Sequence, residues 1–380
     1  MKVVCLFFIL IAFAGCKKKY NPEIKAWDRN ILVVEGNMDP GNDSTFVRLT
    51  RAVSIDDTAE IIMEDGALLT IEGKDNSIRT LTGKGKGYYV SPGLHLTIGD
   101  EYRLRIKTTN GEEYLSEYVQ SKRSPPIDSL TWSVDTVGVH VYVHAHDPTQ
   151  ATKYYRWDCV EAWQIRMPFY ADFIYKNGVI RSSIWPQDNM WECWMYDSTE
   201  SLIIANTERL SNDMISYKEI KTIPYHNEKV RLEYGILAKQ YAIDEKAYKF
   251  FELMKENTER IGSLFSPQPF ELRGNIRSVK DTSEYALGYI TSSTVSRNKK
   301  NIYGTELTYW RPPIPPGCDS VASVNNNIAA FRYYFDELGY MPVAIDQKDL
   351  AGNILSYLAA KPICVDCRVR KAIITPPYFW

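Results

Sequence analysis

Hydrophobic residues fall into two regimes along this chain. They begin as one unbroken run, Val3 to Gly15 (VVCLFFILIAFAG), behind a lone Lys2. After Trp27 they come in short bursts that alternate with polar positions. The opening run is thirteen residues long, short of the ~20 that a helix needs to cross a bilayer. A basic start, an apolar stretch and small residues at Ala14 and Gly15 read as an export signal over residues 1–15. Residues 16–26, with Lys17, Lys18 and Lys19, read as a polar tether.

The bursts predict strands. Ile31 to Gly36 is a short apolar run closed by glycine, and Phe46 to Thr50 and Leu68 to Glu72 alternate. Tyr102 to Lys107 alternates cleanly, then Asn110-Gly111 turns the chain into Glu113-Tyr114-Leu115. Asn-Gly between alternating runs is the strongest short hairpin signal. Strands at this spacing suggest an N-terminal β-sandwich over residues 27–122. Ser124-Pro125-Pro126 then reads as a stiff linker.

A larger β domain is expected over residues 127–380. Its strands are Ser129 to Val134, His140 to His146, Tyr154 to Ile165, a stretch around Trp191, Cys193 and Met195, Ser201 to Ala205 and Val230 to Ala238. One helix near 245–260 interrupts them. Asp244 can cap it, Ala247, Phe250, Phe251, Met254 and Ile261 recur at helical spacing, and Gly262 stops it. Strands resume at Phe270 to Arg277 and Ala286 to Ser292, Arg297-Asn298-Lys299-Lys300 reads as a charged turn, and Pro312 to Pro316 breaks regular structure. Phe331 to Leu338 fits strand and helix equally. The whole is mainly β.

Composition agrees with that class. The 26 Tyr, 9 Trp and 13 Phe suit half-buried strand surfaces, and they can equally line a ligand groove. A net charge of −2 implies no nucleic-acid partner. Of seven cysteines, Cys5 leaves with the signal and Cys16 stands at the cleavage point, so five remain for an oxidising compartment.

Three groups of residues are candidates for chemistry. On a strand, His140, Tyr142, His144 and His146 face one way while Val141, Val143 and Ala145 face a core. His144 and His146 stand side by side and can share a zinc ion, with His140 farther along, so a metal-dependent hydrolase is an alternative reading. Cys364-x-x-Cys367 lacks a second such pair, and one of the two is expected to bond Cys318 and tie down the tail. Cys159 and Cys193 sit on apolar strand faces and would make a second bridge. Glu161, on the Trp157/Trp163 face, can be a buried acid with a raised pKa or the partner of an arginine such as Arg156 or Arg166. No G-x-S-x-G, H-E-x-x-H, phosphate loop or dinucleotide fingerprint appears. The chain is therefore expected not to be an enzyme.

Ala14-Gly15-Cys16 resembles the lipobox of bacterial lipoproteins, whose cysteine is acylated after the signal is cut. That implies a lipid anchor on Cys16. Further phrases occur in order: Tyr20-Asn21-Pro22-Glu23-Ile24, Leu32-Val33-Val34-Glu35-Gly36, Pro125-Pro126-Ile127-Asp128-Ser129, Tyr154-Tyr155-Arg156-Trp157, Pro267-Gln268-Pro269 with Gly274-Asn275-Ile276, and Cys364-Val365-Asp366-Cys367 before Phe379-Trp380. Together they resemble the lipoproteins of the domain of unknown function 4249. The resemblance implies an outer-membrane lipoprotein with an immunoglobulin-like front domain, often encoded beside TonB-dependent transporters, and it carries no catalytic residues. A binding or accessory role beside such a transporter is the leading expectation, with a passive structural surface protein as the other alternative. Which face of the outer membrane it occupies stays open.

Overall fold

The computed structural model describes residues 31–52, 61–198, 201–259, 272–281, 284–308, 310 and 312–380. The expected signal, Cys16 and the tether lie outside them. So do Ile261, Gly262 and the Pro267-Gln268-Pro269 phrase.

The front unit is a two-layer, mainly antiparallel β-sandwich. One layer pairs Leu32–Met38 with Thr45–Arg51 and Thr45–Arg51 with Tyr88–Ser91. The other pairs Leu68–Gly73 with Glu101–Lys107 and that strand with Glu113–Ser116. Ile78–Gly85 joins the layers, since its first half pairs with Leu68–Gly73 and its second with Tyr88–Ser91. Alternation does the sorting: Leu32, Val34, Val47, Leu49, Leu69, Ile71, Leu104 and Ile106 all point into one core. The Asn110-Gly111 turn forms as expected. Gly111 takes a left-handed φ of 84°, and Asn110 Oδ1 accepts the Glu112 N–H at 3.2 Å.

Two edges of this sandwich are completed from far along the chain. Ile276–Ser278 pairs antiparallel with Glu113–Ser116, and Thr291–Ser292 pairs parallel with Leu32–Met38. Ile276, Ala286 and Ile290 belong to the front core. The expected stiff linker is likewise packed in place. Ser124 and Pro125 are buried, Ser124 Oγ donates to the Gln240 carbonyl at 3.0 Å, and Gln240 Nε2 donates to the Pro125 carbonyl at 2.8 Å. Gln240 Oε1 accepts from Trp157 Nε1 at 3.0 Å, so one fully buried amide ties the crossing to the next core.

That core belongs to a second sandwich. Ile127–Val134, Gly138–His146 and Met214–Pro224 form one sheet. Glu192–Ser198, Tyr154–Arg166, Glu233–Ile243 and Val295–Tyr303 form the other, with Ile203–Asn206 beside Tyr154–Arg166. Val139, Val141 and Val143 meet Tyr155, Trp157, Cys159, Trp163 and Ile165 between them. The helix Glu245–Glu259 starts where expected, with Asp244 Oδ1 accepting the Ala247 N–H at 2.7 Å. It buries Ala247, Phe250 and Phe251 against Tyr241, Ile243 and Tyr289.

Several expectations are corrected. Arg297 to Lys300 form no turn; they lie within the strand Val295–Tyr303, at the edge of its sheet, where long charged side chains stay partly in water. Phe331 to Leu338 is helical: Ile328–Phe331 runs into the π-helical segment Arg332–Glu337. This segment covers a small C-terminal sheet of Ala322–Asn325, Ile354–Ala360 and Met341–Lys348. Cys318 bonds Cys364, but Cys193 bonds Cys367 rather than Cys159. Register explains the second pairing. Cys193 lies opposite Ile165, whereas Cys159 lies opposite Ala238, about 20 Å away at ~3.3 Å per strand residue. Cys159 is in neither bridge.

Candidate functional site

A deep concavity opens where the two sandwiches meet the helix. It is a groove of about 760 Å³. Its floor is the outer face of the second sandwich, where pairing fixes two rows across three strands: Arg156, Tyr241 and Val295, then Asp158, Lys239 and Arg297. The two-residue period puts these side chains opposite Trp157 and Gln240, which face the core. Glu35, Phe46, Arg48 and Tyr88 of the front sandwich form one wall, and Phe250, Phe251 and Met254 of the helix form the other.

Cations and rings are interleaved here. The Arg156 guanidinium lies 4.5 Å from the Tyr241 ring centroid and 5.2 Å from that of Phe251, and it donates to Asp158 at 3.1 Å. Arg48 lies 5.3 Å from the Tyr88 centroid and 3.7 Å from Glu35. Arg297 pairs with Asp43. Three buried polar atoms of the groove residues have no hydrogen-bond partner among the described residues: Arg48 Nε, Arg156 Nε and Asp39 Oδ2. Burial pushes the Asp39 carboxyl above its ordinary value, and Asp43 nearby adds to that. Lys239 is half-buried and makes no hydrogen bond or ion pair among the described residues. Burial first, and then Arg297, hold its ammonium below the usual lysine value, with Asp158 pulling the other way. The described lining residues present ring faces, hydrogen-bond donors, the carboxyls of Glu35, Asp39 and Asp158, and the unpaired ammonium of Lys239.

The residues singled out from the sequence lie elsewhere. The histidine strand alternates as expected, with Val141, Val143 and Ala145 buried and the histidines outward. Each histidine has its own partners, however. His140 is held by Glu219 at 2.8 Å and Asp135 at 3.1 Å, and His146 by Asp128 at 2.8 Å. His144 Nε2 lies 2.7 Å from Thr131 Oγ1, with Tyr217 edge-on at 4.6 Å. Hydrogen bonding to Glu219 raises the His140 pKa, and Asp128 does the same for His146. Among the described residues no three His, Cys, Asp or Glu side chains converge as a metal would need. The expected zinc set His140, His144 and His146 is corrected on that ground.

Glu161 is the other correction. It is fully buried, and its partners are lysines rather than an arginine. Lys229 donates to it at 2.6 Å, Lys221 at 2.8 Å and the Tyr234 hydroxyl at 2.7 Å. Burial alone would raise its carboxyl, but these three donors outweigh burial and leave it below the ordinary value.

The profile of the family described as Domain of unknown function (DUF4249) matches residues 17–299, most of the chain and every strand of both sandwiches that begins before Ser292. The chain belongs to that family. The DUF4249 match takes in the groove from Val33 to Arg297, so the site lies wholly within the family's own domain. None of the curated proteins matches the DUF4249 chain. Among solved structures, a segment of two fibronectin type III domains from chicken tenascin is similar at 11% identity, covering 56% of this chain and 90% of that one with a TM-score of 0.15. A Salmonella alpha-2-macroglobulin is similar at 9% identity, covering 73% of this chain and 15% of that one with a TM-score of 0.19. At such scores neither likeness bears on the function of this DUF4249 chain.

The sequence reading missed the groove because it is built from two sandwiches and a helix that are distant in sequence. The signal that existed was Lys239 itself, a charge in the middle of the mostly apolar strand Glu233–Ile243.

Proposed function

We propose that this chain is a ligand-binding lipoprotein of the outer membrane, held by lipid on Cys16, whose groove keeps a small molecule for a TonB-dependent transporter. The observation that carries the binding part is the groove between the sandwiches. Its volume is typical of small-molecule sites, which run from about 300 to 1,000 Å³. Its three buried, unpartnered polar atoms are costly in a free protein and are relieved by a ligand that pairs with them. The lipid anchor rests on Ala14-Gly15-Cys16, and the transporter rests on the family resemblance.

The test is purification from the native membrane in mild detergent, followed by mass spectrometry of what accompanies the protein. A small molecule should accompany the wild type and be lost from a Ser44→Trp variant, because Ser44 is exposed at the groove and tryptophan there fills it. A β-barrel protein should co-purify with both. Replacing Cys16 by Ala should move the protein out of the membrane fraction. Equal small-molecule content in wild type and Ser44→Trp would sink the binding reading, and no barrel protein above background would remove the transporter.

A further inference from the structure

Resting on the groove as the ligand site, we infer that its ligand is an amphipathic monoanion: a flat apolar body carrying a single carboxylate that docks on Lys239. Three observations converge on that chemistry.

The first is charge matching within the groove. Arg48 is committed to Glu35, Arg156 to Asp158 and Arg297 to Asp43. Each of those guanidiniums has a carboxylate partner already, so Lys239 is the cation left over. A half-buried ammonium without a counter-ion is unfavourable in the free protein, and one carboxylate cancels it. The second is the balance of unpartnered atoms. Arg48 Nε and Arg156 Nε are donors on opposite sides of the groove, against one acceptor, Asp39 Oδ2. A ligand rich in acceptors fits that set. The third is the apolar share of the walls. Phe46 and Tyr88 are 55% and 42% exposed on the front side, while Phe251 and Tyr241 flank Arg156 on the other. Ring faces at both sides suit a planar body between them.

The carboxylate is favoured over a phosphate by the acids that share the groove. Glu35, Asp39 and Asp158 line it as well. A dianion would gain one uncommitted lysine and meet three acids, whereas a monoanion is neutralised where it docks.

Calorimetric titration of the full mature chain with three probes tests this: naphthoate, its neutral isostere naphthamide, and naphthyl phosphate. Naphthoate should bind at least about tenfold more tightly than naphthamide. Lys239→Met should shrink that preference to about twofold or less by weakening naphthoate alone, and Lys239→Arg should restore it. Unchanged circular dichroism confirms that both variants fold. Equal affinity for naphthoate and naphthamide, with both blocked by Ser44→Trp, would overturn the carboxylate assignment and leave the groove standing as a site. A preference that survives in Lys239→Met, or tighter binding of naphthyl phosphate than of naphthoate, would overturn it too. Binding of none of the three probes at millimolar concentration would overturn this inference together with the binding reading beneath it.

Discussion

Lysine meets carboxylates and aromatic rings in two places in this chain, and the two places differ in one respect. Around Glu161 the arrangement is closed: Lys221, Lys229 and Tyr234 all donate to one fully buried carboxylate, and Lys229 also sits 4.3 Å from the Trp163 ring centroid. In the groove it is open, since Lys239 stands in register between Asp158 and Arg297 and bonds neither. Glu161 and Lys239 stand on neighbouring strands of one sheet, but only the charges around Glu161 are complete among the described residues. A completed set holds structure together. An incomplete one costs stability.

The comparison breaks most visibly if Glu161 is dispensable. Glu161→Ala should destabilise the protein by about 3–5 kcal/mol in urea unfolding, since it takes the buried acceptor from Lys221 and the Tyr234 hydroxyl and leaves Lys229 only Asp197, at 3.5 Å. A loss under about 1 kcal/mol would mean that the lysines simply turn to solvent and that the set is not closed. The pH dependence has a definite sign. The folded carboxyl lies below its ordinary 4.5, so its contribution is complete above that value and drains away as pH falls through the folded midpoint. Glu161→Gln should therefore lose less stability on acidification than the wild type does.

Gln240 sharpens the contrast because it is next to Lys239 and faces the other way. Gln240→Ala strands the Trp157 indole N–H and the Pro125 carbonyl, and should cost about 2 kcal/mol by the same measurement. Lys239→Met, one residue away, should change stability by about 1 kcal/mol or less, in the stabilising direction. Its sign with pH is opposite to the usual lysine in an ion pair. The folded ammonium lies below the ordinary 10.5, so the wild type is penalised at neutral pH and recovers as pH rises towards 10.5. The advantage of the variant should shrink over that alkaline range. The smallest effect is at His140, which is tied on both sides like Glu161 but by the half-exposed acids Asp135 and Glu219. Its NMR titration should lie above 6.5 and fall back in Glu219→Gln.

What could be read in the sequence was whatever depends on near neighbours. Alternation marked most of the strands, Asn110-Gly111 marked its hairpin, and Asp244 marked the start of its helix, because each rests on residues a few positions apart. Burial of Tyr155, Trp157, Cys159 and Trp163 on one face followed from the two-residue period. What could not be read depends on register between distant strands. Nothing local opposes Cys193 to Ile165, and that register is what sends it to Cys367. Lys221 and Lys229 carry no mark that assigns them to Glu161, and a four-residue charge run at Arg297 looks like a turn until its partner strand is known. The groove fails for the same reason, since Arg48 and Arg156 are more than a hundred residues apart in the chain.

The strands Ile276–Ser278 and Thr291–Ser292, which finish the front sandwich, set a schedule for making the protein. A chain made from its N-terminus delivers residues 32–116 long before residues 276–292 emerge. Until then the strands Leu32–Met38 and Glu113–Ser116 carry unpaired backbone edges, the surfaces on which strands of other chains add. The front unit also lacks the Ile276, Ala286 and Ile290 side chains of its core during that interval. Folding is therefore paced by the arrival of the last of these residues, a high-contact-order closure that is slow and leaves those edges open in the meantime.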